Sequence, residues 1–565
     1  MDKPLPRRVF LKQTAKAAAV AGLTGCGPLL QGCFSKKQFD WVVKNGLVYD
    51  GLGGPPVRAD IAVAGDLIRK IGRVKASQAR GVIDAQGLAV SAGFIDVHDH
   101  SDISLLVNPR AESLVHQGIT LVVSGQCGSS PFPIAEVTFD EEKENIKAFY
   151  EIDLDWKNLT GFFARLETSG IAMNYATLVG HGSIRGAVMG FGDRPPTPEE
   201  LKRMVQLVEE CIRAGAFGMS TGLEYAPGSF AGADEIVELC RGAAATGGVY
   251  ATHMRDEGDG LLESLEEAIE TARLSGIRLQ ISHFKAAYPR NWAKLGPALA
   301  KIEQAKEDGV DIFCDRYPYI AGSTGLSLYF PMWSKEGTTD DFIRRLQDPA
   351  LDSRLRAHLA SQEEKIGSWD KILLSSIPSE KKRHLQGKTV LEAAGQAGKK
   401  PYDFMRDLLI EEKAMVGMIA FMMAENNLKK VLAHPLVGVG CDGSAVAPYG
   451  ILSRSRPHPR NYGTFPRILG KYVREEKIVP AEEMIRKMTS VPASRFGFER
   501  RGVIRPGAFA DLVIFDPERI ADRATWVEPH QYPVGIEYVI VNGQVVIEGG
   551  EHTGLLPGRV LRKKV

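Results

Sequence analysis

Cysteine and excess charge are both scarce in this sequence. Seven cysteines among 565 residues are too few for a disulfide framework, which excludes the small disulfide-stapled folds of secreted proteins. Lysine plus arginine number 70 and aspartate plus glutamate 69, so the net charge at pH 7 is +1. A charge this small gives no general electrostatic reason to bind nucleic acid or an acidic membrane. What the chain does contain, 44% hydrophobic and 25% charged residues, is ordinary for a globular protein.

The first 37 residues are predicted to be a targeting segment rather than part of the fold. Arg7 and Arg8 stand before an apolar pair, and a short Ala-rich stretch follows at residues 17–23. This arrangement resembles a twin-arginine export signal, and the stretch is well short of the ~20 apolar residues that span a bilayer. The four residues that end at Cys26 resemble a lipoprotein processing site, and Cys33 is a second candidate. We therefore expect an exported, periplasmic protein, either freely soluble or attached to the membrane through a lipid on one of these cysteines.

The chain is too long for one ordinary core, and both of its ends carry short strands separated by turns. Residues 41–50 predict a hairpin around Asn45-Gly46, and residues 538–546 predict another around Asn542-Gly543. An isolated hairpin is barely stable in water. We therefore expect residues 38–90 and 498–565 to pair into one small β-sandwich.

Between these ends, strand-like and helix-like segments alternate eight times. This alternation is typical of an α/β fold, a (β/α)8 TIM-type barrel, predicted here over residues 91–497. The interval before the eighth strand is too long for one helix, so residues 326–391 are predicted to form an inserted, lid-like subdomain. The eight strand candidates are residues 95–98, 119–123, 176–179, 216–220, 249–253, 279–283, 310–315 and 436–442.

Five of these strands end in, or lead within four residues to, a residue that binds zinc well. Zinc takes imidazole, thiolate and carboxylate ligands, and a catalytic zinc keeps one position open for water. The carboxyl ends of parallel barrel strands form the rim where active sites lie, and two histidines one residue apart share one side of the first strand. The sequence therefore predicts a metal-dependent hydrolase. Its candidate zinc ligands are His98, His100, Cys127, His253, His283 and Asp442.

The motifs around these donors resemble those of the N-acyl-D-amino-acid deacylases (D-aminoacylases) of the amidohydrolase superfamily, and the resemblance runs from about residue 40 to residue 562. The cysteine and the HPRNYGTFPR run at residues 458–467 are specific to this branch, whereas cyclic amidases of the superfamily usually bridge two metals with a carboxylated lysine. The motifs are residues 93–102 (GFIDVHDHSD), 125–128 (GQCG), 220–223 (STGL), 252–255 (THMR), 281–283 (ISH), 317–319 (YPY), 458–467 (HPRNYGTFPR) and 522–525 (DRAT).

The resemblance implies two metal positions that share one ligand. Cys127 is implied to hold a tightly bound zinc together with His253 and His283. The same cysteine would bridge to a second, weaker site that is completed by the remaining three donors. Those three are His98, His100 and Asp442.

The resemblance also implies the reaction, which is hydrolysis of the amide bond of an N-acyl-D-amino acid to a carboxylate and a free D-amino acid. Asp442 would take a proton from water and give it to the leaving amine. Arg460 would bind the substrate carboxylate, because a planar guanidinium can hold a carboxylate with two hydrogen bonds. Tyr319 is implied as its hydroxyl partner, with Tyr317 as the alternative ring and His458 as a further candidate substrate-binding residue.

Three alternatives stay open at this point. A cyclic-amide hydrolase of the dihydroorotase or hydantoinase type would share barrel and chemistry, although residues 216–220 contain no lysine. A non-catalytic binding protein on the same barrel would have lost metal ligands, and this chain keeps all of them. The third alternative is cleavage of D-residue dipeptides, because the sequence does not choose between an acetyl and an aminoacyl group.

Overall fold

The computed structural model describes residues 37–565 of the chain. Arg7, Arg8, Cys26 and Cys33, on which the export and lipidation predictions rest, lie outside the described residues. Within residues 37–565 none of the helices combines the length and the apolar character that crossing a membrane requires.

Residues 37–565 form 21 strands and 17 α-helices, with a π-helical segment at Ile468–Glu475. The strands are β1 Phe39–Tyr49, β2 Val57–Ala64, β3 Leu67–Gly72, β4 Ala79–Asp84, β5 Ala89–Ala92, β6 Phe94–Asp96, β7 Ile119–Ser124, β8 Asn174–Thr177, β9 Val179–Gly180, β10 Gly218–Gly222, β11 Val249–His253, β12 Arg278–Ile281, β13 Ile312–Arg316, β14 Ala321–Gly325, β15 Ile372–Ser376, β16 Gly417–Phe421, β17 Val437–Val439, β18 Leu512–Phe515, β19 Ile536–Val541, β20 Gln544–Glu548 and β21 Glu551–His552. The helices are α1 Ser104–Val107, α2 Glu112–Val115, α3 Phe139–Tyr150, α4 Leu159–Ser169, α5 His181–Met189, α6 Pro198–Ala214, α7 Ala233–Ala245, α8 Leu261–Ser275, α9 Leu295–Glu307, α10 Thr339–Gln347, α11 Pro349–Ile366, α12 Val390–Gln396, α13 Pro401–Glu411, α14 Glu425–Ala433, α15 Arg460–Arg467, α16 Ala481–Met488 and α17 Ser490–Phe496.

Eight parallel strands form the predicted barrel. β6, β7 and β8 pair in order, and β10, β11, β12, β13 and β17 continue the series. The two runs are joined where the Phe217 amide donates to the Thr177 carbonyl over 2.8 Å. On the other side the Asp442 amide donates to the His98 carbonyl over 2.7 Å, which closes the ring just beyond β17 and β6. The predicted (β/α)8 barrel is thereby confirmed.

Helix α6 illustrates how the sequence builds the outer ring of this barrel. Thr197 caps its start through the Glu200 amide, Glu200 reaches back to the Thr197 amide, and Pro198 occupies the first turn. Gly215 ends the helix. The residues that α6 buries recur every three to four positions along one face, which packs against the strands. They are Met204, Val208, Cys211 and Ile212.

The two chain ends share one nine-stranded sheet. β18 pairs antiparallel with β5, so that Leu512 lies opposite Ala92, and β5 in turn pairs with β1. Buried side chains from both ends meet in a single cluster that includes Val43, Val90 and Ile540. The predicted β-sandwich therefore takes the form of one continuous sheet whose halves are distant in sequence.

One of the two predicted terminal hairpins is wrong. Asn45-Gly46 lies inside the single strand β1, at an irregularity in its pairing with β2. Asn45 adopts a positive φ of 62°, and its amide donates to the Asp60 carboxylate over 3.1 Å. The tertiary partner thus turns the dipeptide into a bulge rather than a chain reversal. The other hairpin is confirmed, because Val541 pairs with Gln544 across Asn542-Gly543.

The inserted subdomain is longer than the predicted residues 326–391. It begins at β14 and ends at β16, so it spans residues 321–421 and includes the three-stranded antiparallel sheet β14-β16-β15. Its helices pack on a separate core that contains Trp369, Leu374, Met405 and Met418. The sequence boundary fell short because α13 and β16 resemble ordinary barrel elements until their pairing with β14 is known.

Candidate metal centre

The predicted zinc ligands converge at the rim of the barrel. The Sγ atom of Cys127 lies 3.3 Å from Nε2 of His98 and 3.5 Å from Nε2 of His283. Oδ1 of Asp442 lies 3.1 Å from Nε2 of His100 and 3.5 Å from Nε2 of His98. Atoms that come from four widely separated strand ends thus face one another across a few ångströms.

These donors fall into two groups that share Cys127. In the first, one ligand atom each from His98, His100, Cys127 and Asp442 lie within 4.8 Å of one another. In the second, the same holds for Cys127, His253 and His283. Each group offers the mixture of nitrogen, sulfur and oxygen ligands that zinc takes.

The backbone is strained at three of these donors. Cys127, His283 and Asp442 have φ values of 52°, 37° and 53°, in the left-handed region that non-glycine residues seldom adopt. Each of them comes just after its strand ends, so the turn swings the side chain over the barrel mouth. Strain of this kind persists only where the surrounding structure holds it, and it concentrates at functional sites.

Close contact with β10 holds the Cys127 loop in place. A Cβ atom on Gly128 would lie 2.5 Å from the Gly222 amide nitrogen, and one on Gly222 would lie 2.0 Å from the Cys127 carbonyl oxygen. Only glycine at both positions lets the loop approach the strand this closely.

Buried carboxylates orient two of the histidines from behind. Oδ1 of Asp315 lies 3.3 Å from Nδ1 of His98, and Oε1 of Glu257 lies 2.9 Å from Nδ1 of His283. At His98, a carboxylate that accepts the Nδ1 proton leaves the lone pair of Nε2 free to bind a metal. At His283, Nδ1 faces both Glu257 and the Lys285 ammonium, which are themselves paired. Both Nε2 atoms are the ones that face Cys127.

The charges at this rim favour a divalent cation. Burial alone would raise the pKa of the Cys127 thiol, but the charges of His98 and His283 hold it well below its ordinary value. Burial would likewise lower the pKa of His253, but the Glu257 charge and the Cys127 thiolate raise it to about 10. Without a metal, protons on the histidines compensate the buried negative charge of the Cys127 thiolate and the carboxylates. A divalent cation would take over this role, and the thiolate, imidazole and carboxylate groups present fit zinc.

Arg460 reaches the same site from α15. Its Nη1 atom lies 2.8 Å from Oδ2 of Asp442, and its guanidinium stacks 4.8 Å from the centre of the Tyr317 ring. Burial would raise the pKa of Asp442, but Arg460 and His98 hold it well below its usual range. Asp442 therefore binds the arginine through one oxygen and faces the metal-ligating histidines through the other.

Tyr319 and His458 are not brought to the cavity wall. The hydroxyl of Tyr319 donates to Asp522 over 3.3 Å, and the Arg467 guanidinium stacks on its ring. Nδ1 of His458 accepts from the Arg460 amide over 2.9 Å, while its Nε2 faces the Ala321 carbonyl. His458 thus supports the backbone of Arg460, and Tyr317 is the ring of the pair that faces the cavity.

A cavity of about 730 Å³ lies over the donors. Its volume falls in the range of roughly 300–1,000 Å³ that is typical of small-molecule sites. Seven of the predicted site residues line it. They are His100, Cys127, His253, His283, Asp442, Arg460 and Tyr317.

Four charged residues near the donors were missed by the sequence reasoning. Asp315 ends the predicted seventh strand, and Lys285 and Glu257 follow two and four residues after ligand histidines, so their spacing was visible. The Lys285 ammonium lies 2.5 Å from Glu257 and 2.8 Å from Nδ1 of His283. Glu224 follows β10 and places Oε2 2.9 Å from Nε2 of His253. Only its place after the fourth strand could have indicated it.

Comparison with known proteins identifies the family of this chain. The sequence profile of the amidohydrolase family matches residues 81–547. The chain belongs to the amidohydrolase family. A D-aminoacylase from Alcaligenes xylosoxydans xylosoxydans is 37% identical to this amidohydrolase over 529 residues, which cover 93% of this chain and 98% of the relative.

Two solved structures are also similar to this amidohydrolase. One is an N-acyl-D-glutamate deacylase from Bordetella bronchiseptica, complexed with zinc and a phosphonate inhibitor that mimics the tetrahedral reaction intermediate. It is 34% identical with a TM-score of 0.79, over 93% of this chain and 100% of that one. The other is a D-aminoacylase with a binuclear metal centre, 34% identical with a TM-score of 0.76 over the same shares. The predicted family and fold class are confirmed.

Proposed function

We propose that this amidohydrolase is a zinc-dependent hydrolase that cleaves the amide bond of N-acyl-D-amino acids and releases a free D-amino acid. One observation carries the proposal. The Cys127, His253 and His283 group and the Arg460–Asp442 pair face the same cavity. A metal group beside a buried guanidinium suits a substrate that has both an amide and a carboxylate. The named relatives, a D-aminoacylase and an N-acyl-D-glutamate deacylase, act on substrates of this kind.

Zinc would be held by Cys127, His253 and His283, and His98, His100 and Asp442 would offer the second position. When bound, zinc supplies a Lewis acid and a water molecule activated at neutral pH. The protein contributes the proton transfer. Oδ1 of Asp442 would hold the proton taken from water and return it to the nitrogen of the leaving amine, because Oδ2 is engaged by Arg460. Such general acid–base help contributes roughly 10²–10⁴-fold.

Arg460 would orient the substrate through its carboxylate. Its Nη2 atom donates to the Ser323 carbonyl over 3.3 Å, and Tyr317 stacks on the guanidinium, so the side chain is already fixed before substrate arrives. A preorganised cation loses little further entropy on binding and therefore gives both affinity and orientation.

The cyclic-amide alternative is disfavoured by the fourth barrel strand. β10 has the sequence Gly-Met-Ser-Thr-Gly and contains no lysine that could be carboxylated to bridge two metals. Cys127 takes the position between the two donor groups instead.

A substrate screen tests the proposal. Zinc-loaded enzyme is given N-acetyl-D- and N-acetyl-L-amino acids, D-residue dipeptides, dihydroorotate and hydantoin. We expect amine release from the N-acyl-D compounds, with the L enantiomers at least about tenfold slower, a preference of roughly 1.4 kcal/mol. Turnover of only the cyclic amides would reject the proposal, and turnover of only the dipeptides would move it to D-dipeptide hydrolysis.

We further infer that the protein is exported to the periplasm by the twin-arginine route. There it would be either freely soluble or attached to the membrane through a lipid on Cys26 or Cys33. The support is the sequence alone, Arg7-Arg8 before a short apolar stretch. Replacing both arginines with lysine should keep the protein in the cytoplasmic fraction, and unchanged periplasmic activity would reject the inference. Loss of labelled palmitate in Cys26→Ser or Cys33→Ser would identify a lipidated cysteine.

A further inference from the structure

One face of helix α3 forms a wall of the cavity. Glu142, Asn145, Ile146 and Phe149 line it, and their spacing of three, one and three residues places them on one side of the helix. Ile146 is buried and Glu142 is exposed, so this wall runs from solvent into the interior. Helix α3 is therefore a component of the substrate cavity rather than only an outer barrel element.

Apolar side chains from neighbouring segments extend this wall. The segments after β7 and β8 line the cavity with further rings and aliphatic groups, most of them half-buried, together with polar side chains such as Ser130 and Asn145. We call this set the α3 arm. Its members are Pro131, Ile134, Ile146, Phe149, Tyr150 and Phe191. None of these residues has a part in the proton transfer or carboxylate binding described above, so the arm is available to an apolar group of the substrate.

The α3 arm and the carboxylate anchor follow different strands of the barrel. The arm follows the second and third barrel strands, β7 and β8. Tyr317 and Arg460 follow the seventh and eighth, β13 and β17. Around the ring, the donors of the first strand separate them in one direction and His253 and His283 separate them in the other. Helix α3 leans towards the segment after β17, because it contacts Ile451–Ser453 and Glu151 just beyond it pairs with Arg454 over 3.1 Å. A substrate held by Arg460 that reaches the arm would therefore extend over the first-strand donors.

An N-acyl amino acid has this layout. Its carboxylate and its side chain branch from the α-carbon on one side of the scissile amide, and its acyl chain leaves on the other. With the carboxylate on Arg460 and the amide at the metal donors, the acyl chain points to the α3 arm. The amino-acid side chain stays on the Arg460 side, near Thr324 and Met422, which also line the cavity.

We propose that the α3 arm is an acyl-chain subsite, and that the enzyme prefers N-acyl-D-amino acids with an apolar acyl chain longer than acetyl. This inference rests on the proposed function. It is supported by the apolar side chains of the arm, in a cavity whose volume of about 730 Å³ leaves room beside the metal donors and Arg460. Each methylene that leaves water for an apolar wall adds roughly two- to fourfold to binding.

A chain-length series on one D-amino acid tests the proposal. We expect kcat/KM of the zinc-loaded enzyme to rise from N-acetyl- to N-hexanoyl- to N-octanoyl-D-leucine. Phe149→Asp puts a charge into the arm at a half-buried position, and should lower the octanoyl-to-acetyl ratio of kcat/KM at least about tenfold. Ile146→Ser is the second variant, and should lower the same ratio less.

Ala148→Asp is the matched control, because Ala148 is exposed on the outer face of α3 and does not line the cavity. It should keep the wild-type ratio. A wild-type series that is flat or falls with chain length overturns the subsite while leaving the proposed function intact. An equal loss of the ratio in Ala148→Asp also overturns it. Failure to hydrolyse every member of the series overturns both.

Discussion

At the scale of single residues, Cys127 carries the largest share of the metal chemistry. It belongs to both donor groups, and the loop that presents it is fixed by two glycines against β10. A thiolate is a strong zinc ligand that metal binding keeps deprotonated. No other described side chain near the rim takes part in both groups.

Replacing Cys127 with alanine should remove zinc from both positions and abolish turnover. Metal analysis of the purified variant should find less than about a tenth of the wild-type zinc, given that even outer-shell changes cost 10–100-fold in affinity. Cys211→Ala is the control and should keep its zinc, because Cys211 is buried on α6 and belongs to neither donor group. Full zinc content in the Cys127→Ala variant would show that Cys127 is not a zinc ligand.

Asp442→Asn should separate metal binding from proton transfer. The tight group of Cys127, His253 and His283 does not include Asp442, so we expect one zinc to be retained. The amide cannot accept the proton of water, and kcat should fall roughly 10²–10⁴-fold. If zinc and activity are lost together, Asp442 acts mainly as a ligand.

Arg460→Ala should lower kcat/KM for substrates that carry a free carboxylate. Loss of a buried, charge-assisted contact costs about 2 kcal/mol or more, which corresponds to at least ~30-fold in kcat/KM. Carboxamide analogues of the same substrates lack the carboxylate that Arg460 would bind. Any loss of kcat/KM on these analogues therefore measures the effect of the variant on Asp442. Equal losses on acids and carboxamides would contradict the anchoring role.

At the scale of secondary-structure elements, strand ends made the metal donors predictable. An apolar run that stops at a histidine or cysteine places that side chain on the barrel rim, and this reasoning needs no tertiary information. Tyr317 and Tyr319 show where it fails. They follow β13 rather than lie within it, so strand alternation no longer assigns their faces. Only the packing of Tyr319 against Arg467 and Asp522 separates their roles.

Gly222→Ala tests how β10 positions the Cys127 loop. The new methyl group would lie 2.0 Å from the Cys127 carbonyl oxygen, so the loop must move. We expect lower zinc content and lower kcat/KM in a protein that still folds. Gly296→Ala in α9 is the matched control, because its methyl group meets no atom within 4 Å. Equal zinc content in the two variants would show that the close contact does not position the ligand.

At the scale of the whole molecule, the sequence predicted that the two chain ends pair as β-structure and that an insertion precedes the eighth barrel strand. Turn residues and strand composition indicate that both ends are β-structure, and an isolated hairpin needs a partner. The register of β18 on β5 and the true extent of the insertion depend on contacts between segments hundreds of residues apart. Asn45-Gly46 was misassigned for the same reason, because the Asp60 carboxylate that holds it comes from another strand.

Removing residues 498–565 should destroy soluble expression. β5 would lose its partner β18, and the buried Asn542 amide would no longer donate to Asn174, the first residue of the barrel strand β8. An unpaired apolar strand edge is a site of aggregation. A chain that lacks only Lys564 and Val565, both exposed, should remain soluble and active. Soluble, zinc-loaded protein from the long truncation would show that the terminal sheet is not required for the barrel.

The central claim is that one zinc ion is bound by a thiolate and two imidazoles at the mouth of this barrel. The zinc K-edge X-ray absorption spectrum of enzyme loaded with one equivalent of metal measures this directly. We predict one sulfur scatterer at about 2.3 Å and nitrogen or oxygen scatterers at about 2.0–2.1 Å. A spectrum without a sulfur shell would contradict the account.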